Sequence, residues 1–131
     1  MSFDLFVDRF ENGQSIGAST EEFERVFGPF EVERDETRSF RRLRFSDRGE
    51  ADAYVSGAGA CMFNHFGGEE FFERLFEFLT ETGRVAYWPG ADCAAAVANP
   101  ISLSQLPADM RRSLRPAVVH SHSELMLRIL A

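Results

Sequence analysis

The sequence predicts an α+β domain: an antiparallel or mixed sheet of five or six strands, with helices packed mainly on one of its faces. Three observations predict it. Apolar residues alternate with polar ones at the amino terminus and again between residues 30 and 56, which is the period of half-buried strands. Residues 69–82 carry the apolar spacing of a helix, and capping signatures stand before two further apolar stripes. With 131 residues, 44% of them apolar and 14 of them Phe, the chain is long enough to bury one core without disulfides, so residues 1–131 are read as a single domain.

In residues 2–8, Phe3, Leu5 and Val7 alternate with Asp4 and Asp8, and Phe6 is the one apolar residue on the outer side. Asn12-Gly13 turns the chain. Ser19 with Glu22 three positions on has the capping-box spacing, Phe23, Val26 and Phe27 form the inner stripe of a short helix, and Gly28-Pro29 stops it. Residues 30–35 and 39–45 read as a hairpin turning at Glu36-Thr37. Paired positions that sum to 73 would set Glu31 against Arg42, Asp35 against Arg38, Phe30 beside Leu43 and Val32 beside Arg41. Arg41 then falls on the inner face, where it must reach solvent or find a carboxylate.

Residues 50–56 extend the meander, with Ala51, Ala53 and Val55 on one side and Asp52 and Tyr54 on the other. Residues 61–66, bracketed by glycines, are a further strand or an extended buried segment. From Glu69 to Thr82 the stripe of Phe72, Leu75, Phe76 and Leu79, widened by Phe71 and Phe78, predicts the helix at the centre of the core. Truncating Phe76 to Ala is expected to cost about 3 to 5 kcal/mol, and Glu70 is placed to pair with Arg74. Residues 84–88 read as a strand, and 91–105 follow no clear period. A short helix opens at Leu106-Pro107 and runs to Leu114, residues 117–120 form a short strand, and Ser121 with Glu124 caps a terminal helix.

All 14 basic residues are Arg, which removes lysine Schiff-base chemistry. The net charge of −7 is unevenly distributed, at −7 over residues 1–36, +4 over 37–48, −6 over 49–81 and +2 over 82–131. One short basic stretch is no footprint for phosphates, so nucleic acid is not expected as a partner, whereas a basic protein is. No window approaches a membrane span, and the amino terminus lacks the basic run of a signal peptide, so a cytoplasmic location without membrane attachment is expected. Cys61 and Cys93 are then reduced thiols.

The most site-like segment is Cys61-Met62-Phe63-Asn64-His65-Phe66-Gly67-Gly68, where a thiol, an amide and an imidazole lead into a helix start. Its functional version is a Cys61 nucleophile activated by His65, or an anion held by the Gly67-Gly68 backbone; its ordinary version is a buried strand end with an inert thiol. Cys93 with His120 is a second thiol–imidazole option, weakened by Asp92, which would raise the thiol pKa. Cys61, His65, Cys93, His120 and His122 match no usual zinc spacing, so neither a metal nor another cofactor is expected. For binding, the candidates are the acids Glu69, Glu70, Glu73 and Glu77 and an indole at Trp88, which either anchors a partner or closes the end of the core.

The opening Met1-Ser2-Phe3-Asp4-Leu5-Phe6-Val7 and the later Met62-Phe63-Asn64-His65-Phe66-Gly67-Gly68 resemble a group of small bacterial proteins with no assigned activity. The resemblance implies a bacterial cytoplasmic origin and carries over no catalytic residue. The function expected from the residues themselves is that of a non-catalytic acidic interaction protein, immunity- or inhibitor-like, that binds a basic protein. The alternative is a small enzyme or ligand-binding domain centred on Cys61, Asn64 and His65.

Overall fold

The computed structural model describes residues 3–17, 19–90 and 93–131. Among these residues ten strands and five α-helices follow one another as β1 (Leu5–Asp8), β2 (Phe10–Glu11), β3 (Gln14–Ser15), α1 (Thr20–Phe27), β4 (Glu31–Asp35), β5 (Phe40–Arg44), β6 (Glu50–Val55), β7 (Cys61–Asn64), α2 (Glu69–Thr82), β8 (Val85–Tyr87), β9 (Ala95–Val97), α3 (Pro100–Ser104), α4 (Ala108–Leu114), β10 (Ala117–Val118) and α5 (His122–Leu130). Eight of the strands form one sheet in the order β10-β9-β8-β1-β7-β6-β5-β4, and β2 with β3 makes a separate small hairpin. The α+β class holds, but the sheet has eight strands where five or six were expected. The strand not foreseen is β9, inside the stretch that showed no period; the short edge strand β10 falls within the expected strand of residues 117–120, and residues 61–64 do form a strand. The β9–β10 pair is parallel and the other ladders of the sheet are antiparallel, so the sheet is mixed.

Strand alternation assigns the two faces. Leu5 and Val7 of β1, Ala51, Ala53 and Val55 of β6 and Phe63 of β7 turn toward a layer made by α1, α2 and α5, with α2 in the middle. The core between them is a chain of phenyl rings: Phe27 to Phe63 at 5.1 Å, Phe63 to Phe71 at 5.4 Å and Phe71 to Phe66 at 5.1 Å between centroids. Such pairs add about 0.5–1.5 kcal/mol each beyond area burial. The stripe of α2 is rotated from the expected one. Phe71 and Phe78 are fully buried while Phe76 is only partly so, which moves the large truncation cost from Phe76 to its neighbours. The cause is that α2 is covered on two flanks, by the sheet and by α5, so its apolar arc is wider than one stripe.

On the opposite face, Val85 and Tyr87 of β8 and Ala95 and Val97 of β9 meet Leu103 of α3, Leu106 between the helices, and Met110 and Leu114 of α4. This second layer reaches only the β8–β10 end. The helices therefore do not all lie on one face, and the other half of the sheet is covered on one side only.

The hairpin of β4 and β5 departs from the expected register. Glu33 lies opposite Arg42 and Asp35 opposite Phe40, and a bulge between Glu31 and Glu33 sets Glu31 against Leu43. Val32 sits at the bulge and is 54% exposed, not internal. The turn sets this register: Asp35 Oδ1 accepts from the Thr37 amide at 3.1 Å and Ser39 takes a left-handed φ of 55°, so the connection spans residues 36–39 and shifts the pairing by two positions. Beyond the bulge the two-residue shift keeps Glu33, Asp35 and Arg42 on the outer face, which is why the outer acid–base pattern survives there, while the bulge turns Glu31 to the side of Leu43 and Arg41. Arg41 is internal as expected and pairs with the carboxylates of Glu24 and Glu31, its guanidinium 5.5 Å from the Phe23 ring.

Two caps hold the helix layer. Both serines cap as expected: Ser121 Oγ accepts from the Glu124 amide three positions on, whereas Ser19 Oγ accepts from the Glu21 amide, one position short of the Glu22 amide that the spacing predicts. In neither case does the glutamate complete a standard box: Glu22 turns to Arg84, and Glu124 accepts from the His120 amide. The start of α2 is capped from another element. Gly68 has no side chain to offer, and Asp47, in the turn between β5 and β6, accepts from the Glu70 amide at 3.0 Å and the Gly49 amide at 2.9 Å. These backbone donors hold the Asp47 carboxyl below its ordinary value. Gly68 must be glycine, because its φ is 90° and a Cβ there would lie 2.9 Å from the Gly49 backbone.

Candidate functional site

The thiol and imidazole singled out in the sequence do not converge. Cys61 lies in the core on the helix-facing side of β7, with Sγ 3.5 Å from the Gly59 carbonyl, and burial pushes its thiol up to about 12. A thiol with that pKa is not a nucleophile near neutrality. His65 follows β7 with φ of 50° and a side chain 67% exposed, and its Nδ1 is 3.0 Å from Asp52 Oδ2. Asn64 donates from Nδ2 to Asp4 Oδ1 at 3.2 Å. The expected Glu69-start anion site is occupied by Asp47, whose carboxylate takes the Glu70 amide.

Cys93 is partly buried with Sγ 3.6 Å from the Ala95 carbonyl, and its expected neighbour Asp92 lies outside the described residues. His120 is exposed, with Nδ1 3.4 Å from Glu124 Oε2. Among the described residues the metal-type side chains that do come together are Glu69, Glu73 and His122, with ligand atoms within 4.8 Å of one another. Each already has a protein partner: Glu69 Oε1 is 3.1 Å from His122 Nε2 and Glu73 is 3.6 Å from Arg74.

The acids expected to bind are engaged by neighbours in the same way. Glu77 accepts from Arg74 at 3.1 Å, and Glu70 accepts from the Ser46 amide and hydroxyl instead of pairing with Arg74. Exposed pairs of this kind leave the local charge excess in place, and α2 still holds five glutamates against one arginine. Trp88 is 3% exposed, so it closes the end of the core and is no exposed anchor.

Burial also exposes a residue that its sequence position gave no reason to notice. Arg84 is 1% exposed, donates to Glu22 Oε1 at 2.8 Å and to the Gly59 carbonyl at 3.0 Å, and lies 4.6 Å from the Phe78 ring centroid. It ties α1, the turn before β7 and the start of β8 together, a structural role in which a buried charge is tolerated only because it is paired.

What remains accessible is the uncovered face of β1, β7, β6 and β5. Register places Tyr87, Phe6, Met62, Tyr54 and Phe40 in one row across it. Phe6 stacks on Tyr87 at 5.4 Å and is itself 37% exposed, and Phe40 packs on Tyr54 at 5.4 Å. A cleft opens on each side of Phe6. One, of about 510 Å³, is lined by Phe3, Asp4, Tyr87, Trp88 and Leu114; the other, of about 240 Å³, by Asp8, Ser39, Tyr54, Ala60 and Met62. Most acids on this face are neutralised within it, Asp52 and Glu33 by Arg42, Asp35 by Arg38 and Glu50 by Arg44. Asp4 and Asp8 are different. Among the described residues neither forms an ion pair, the Asp4 side chain accepts only from Asn64, and that of Asp8 accepts only from the Tyr87 hydroxyl at 2.8 Å. Burial, and then the bond to Asp8, push the Tyr87 phenol well above its ordinary value, so it stays a donor. The alternation of residues 4–8 already places Asp4, Phe6 and Asp8 on one side. Strand order was needed to show that, among the described residues, helices reach that side only at the cleft wall, through Leu114 of α4.

No helix of the described residues is long and apolar enough to cross a membrane. Compared with protein-family models, curated proteins and solved structures, the chain matches none.

Proposed function

We propose that this chain is a non-catalytic interaction protein, immunity- or inhibitor-like, that acts in the bacterial cytoplasm by binding a basic protein. The observation that carries the reading is the charge excess on its accessible surfaces. Helices α1 and α2 together hold eight glutamates against two arginines, and the bare sheet face adds Asp4 and Asp8, which form no ion pair with a described residue, beside an aromatic row. Such a field accelerates encounter with a cationic partner and repels phosphate backbones. The enzymatic alternative at Cys61, Asn64 and His65 is not favoured, since the thiol is buried in the core and the imidazole is exposed beside Asp52.

The test is recovery of the protein with its cross-linked partner from its own cells at low and high salt. A basic partner released by roughly fourfold more salt is the expected result, because screened surface charge weakens with ionic strength. Recovery of a neutral or acidic partner that is indifferent to salt would remove the reading.

A further inference from the structure

We infer that the occupant of the bare sheet face is an extended segment of the basic partner, with two cationic side chains straddling Phe6 and one entering each cleft. The inference rests on the reading just given and adds its address and its pattern. Asp4, Phe6 and Asp8 are successive outward residues along the β1 direction, so at about 3.3 Å per residue the two carboxylates stand about 13 Å apart with a phenyl ring between them. Each cleft contains one of them and aromatic walls. Each carboxylate also keeps an oxygen with no donor among the described residues, Asp4 Oδ2 and Asp8 Oδ1.

Chemistry selects the occupant. A guanidinium or ammonium entering either cleft meets an uncompensated carboxylate and the faces of Phe6 and Tyr87 or Tyr54, the surroundings that favour cations over neutral groups. The exposed phenyl between the clefts supplies the apolar anchor of a small interface, with the paired charges of Arg42, Asp52 and Arg44 at its rim. A separation of about 13 Å matches two side chains four positions apart in an extended chain, which project from the same side. One small molecule in either cleft would engage a single carboxylate.

The probe is an unstructured ten-residue peptide of alternating Thr and Val with two Arg four positions apart, titrated into the isotope-labelled protein at low salt. Expected are shifts at the amides of Phe6, Tyr54, Met62 and Tyr87, about tenfold weaker binding to the D4N/D8N double variant, and weaker binding of a peptide with its two Arg adjacent. The amide substitutions keep the Asn64 and Tyr87 contacts, and an unchanged melting temperature verifies the fold. Shifts at Glu73 and Glu77 of α2 in place of the sheet face would overturn the address while leaving the basic-partner reading intact. Equal affinity of wild type and D4N/D8N, or no binding, would overturn the inference outright, and the fate of the broader reading is decided separately by the salt dependence of the recovered partner.

Discussion

The two halves of the sheet are built from the same backbone pattern and bury it differently. In β6, apolar Ala51, Ala53 and Val55 alternate with accessible Glu50, Asp52 and Tyr54, because only one side meets the helices. In β9, Ala95, Ala96 and Val97 are all buried, because α1, α2 and α5 cover one side of the sheet while α3 and α4 cover the other at that end. A strand covered on both faces has no period to display, and its sequence is simply small and apolar. The one-sided half spends its second face on charges and aromatic rings, and that is where accessible chemistry collects.

The sharpest way to break this comparison is to place the same kind of polarity in both halves. Ala95→Asp puts a carboxylate at a fully buried position on the second face of the covered half, and a loss of about 4 kcal/mol or more is expected in urea unfolding. Phe6→Ser in the bare half is expected to cost about 1 to 2 kcal/mol. Equal losses would mean that the second face is not bare. Next in size, Phe78→Ala should cost about 3 to 5 kcal/mol. Phe76→Ala should cost clearly less, since its ring is only partly buried, and the reverse order would refute the rotated stripe of α2.

The smallest effect concerns the cross-element cap. Asp47→Ala removes the acceptor for the Glu70 amide and is expected to cost about 1 kcal/mol at neutral pH. Because the folded carboxyl of Asp47 is held below its ordinary value, its contribution is complete above the usual carboxylate range, about pH 4, and fades as pH falls through the depressed value. Wild type and variant should therefore converge in acid, as followed by thermal melts across pH 2 to 7. A gap that stays constant would show that the cap is not ionic.

Much of the fold was legible where its cause is local. The limits of α2 from Glu69 to Thr82, the caps at Ser19 and Ser121, the turn at Asn12-Gly13 and the alternation of β1 and β6 depend on residues within a few positions of one another. The candidate site was legible only in part. Cys61 and His65 are close in sequence, yet one lies in the core and the other is exposed beside Asp52, and spacing alone does not reveal that. Asp4, Phe6 and Asp8 were visible as one side of a strand, without any sign of what covered it.

The sequence by itself determined the class, the aromatic helix and the acidity, because hydrophobic period, capping and charge are written residue by residue. Tertiary structure decided the eight-strand order, the bulge that shifted the Glu33–Arg42 register, the burial of Arg84 between Glu22 and Gly59, and the half of the sheet left uncovered. Those features join residues far apart in the chain: Glu22 and Arg84 are 62 positions apart, and Phe6 and its ladder partner Tyr87 are further apart still. Their energies come from contacts that exist only once distant segments have packed.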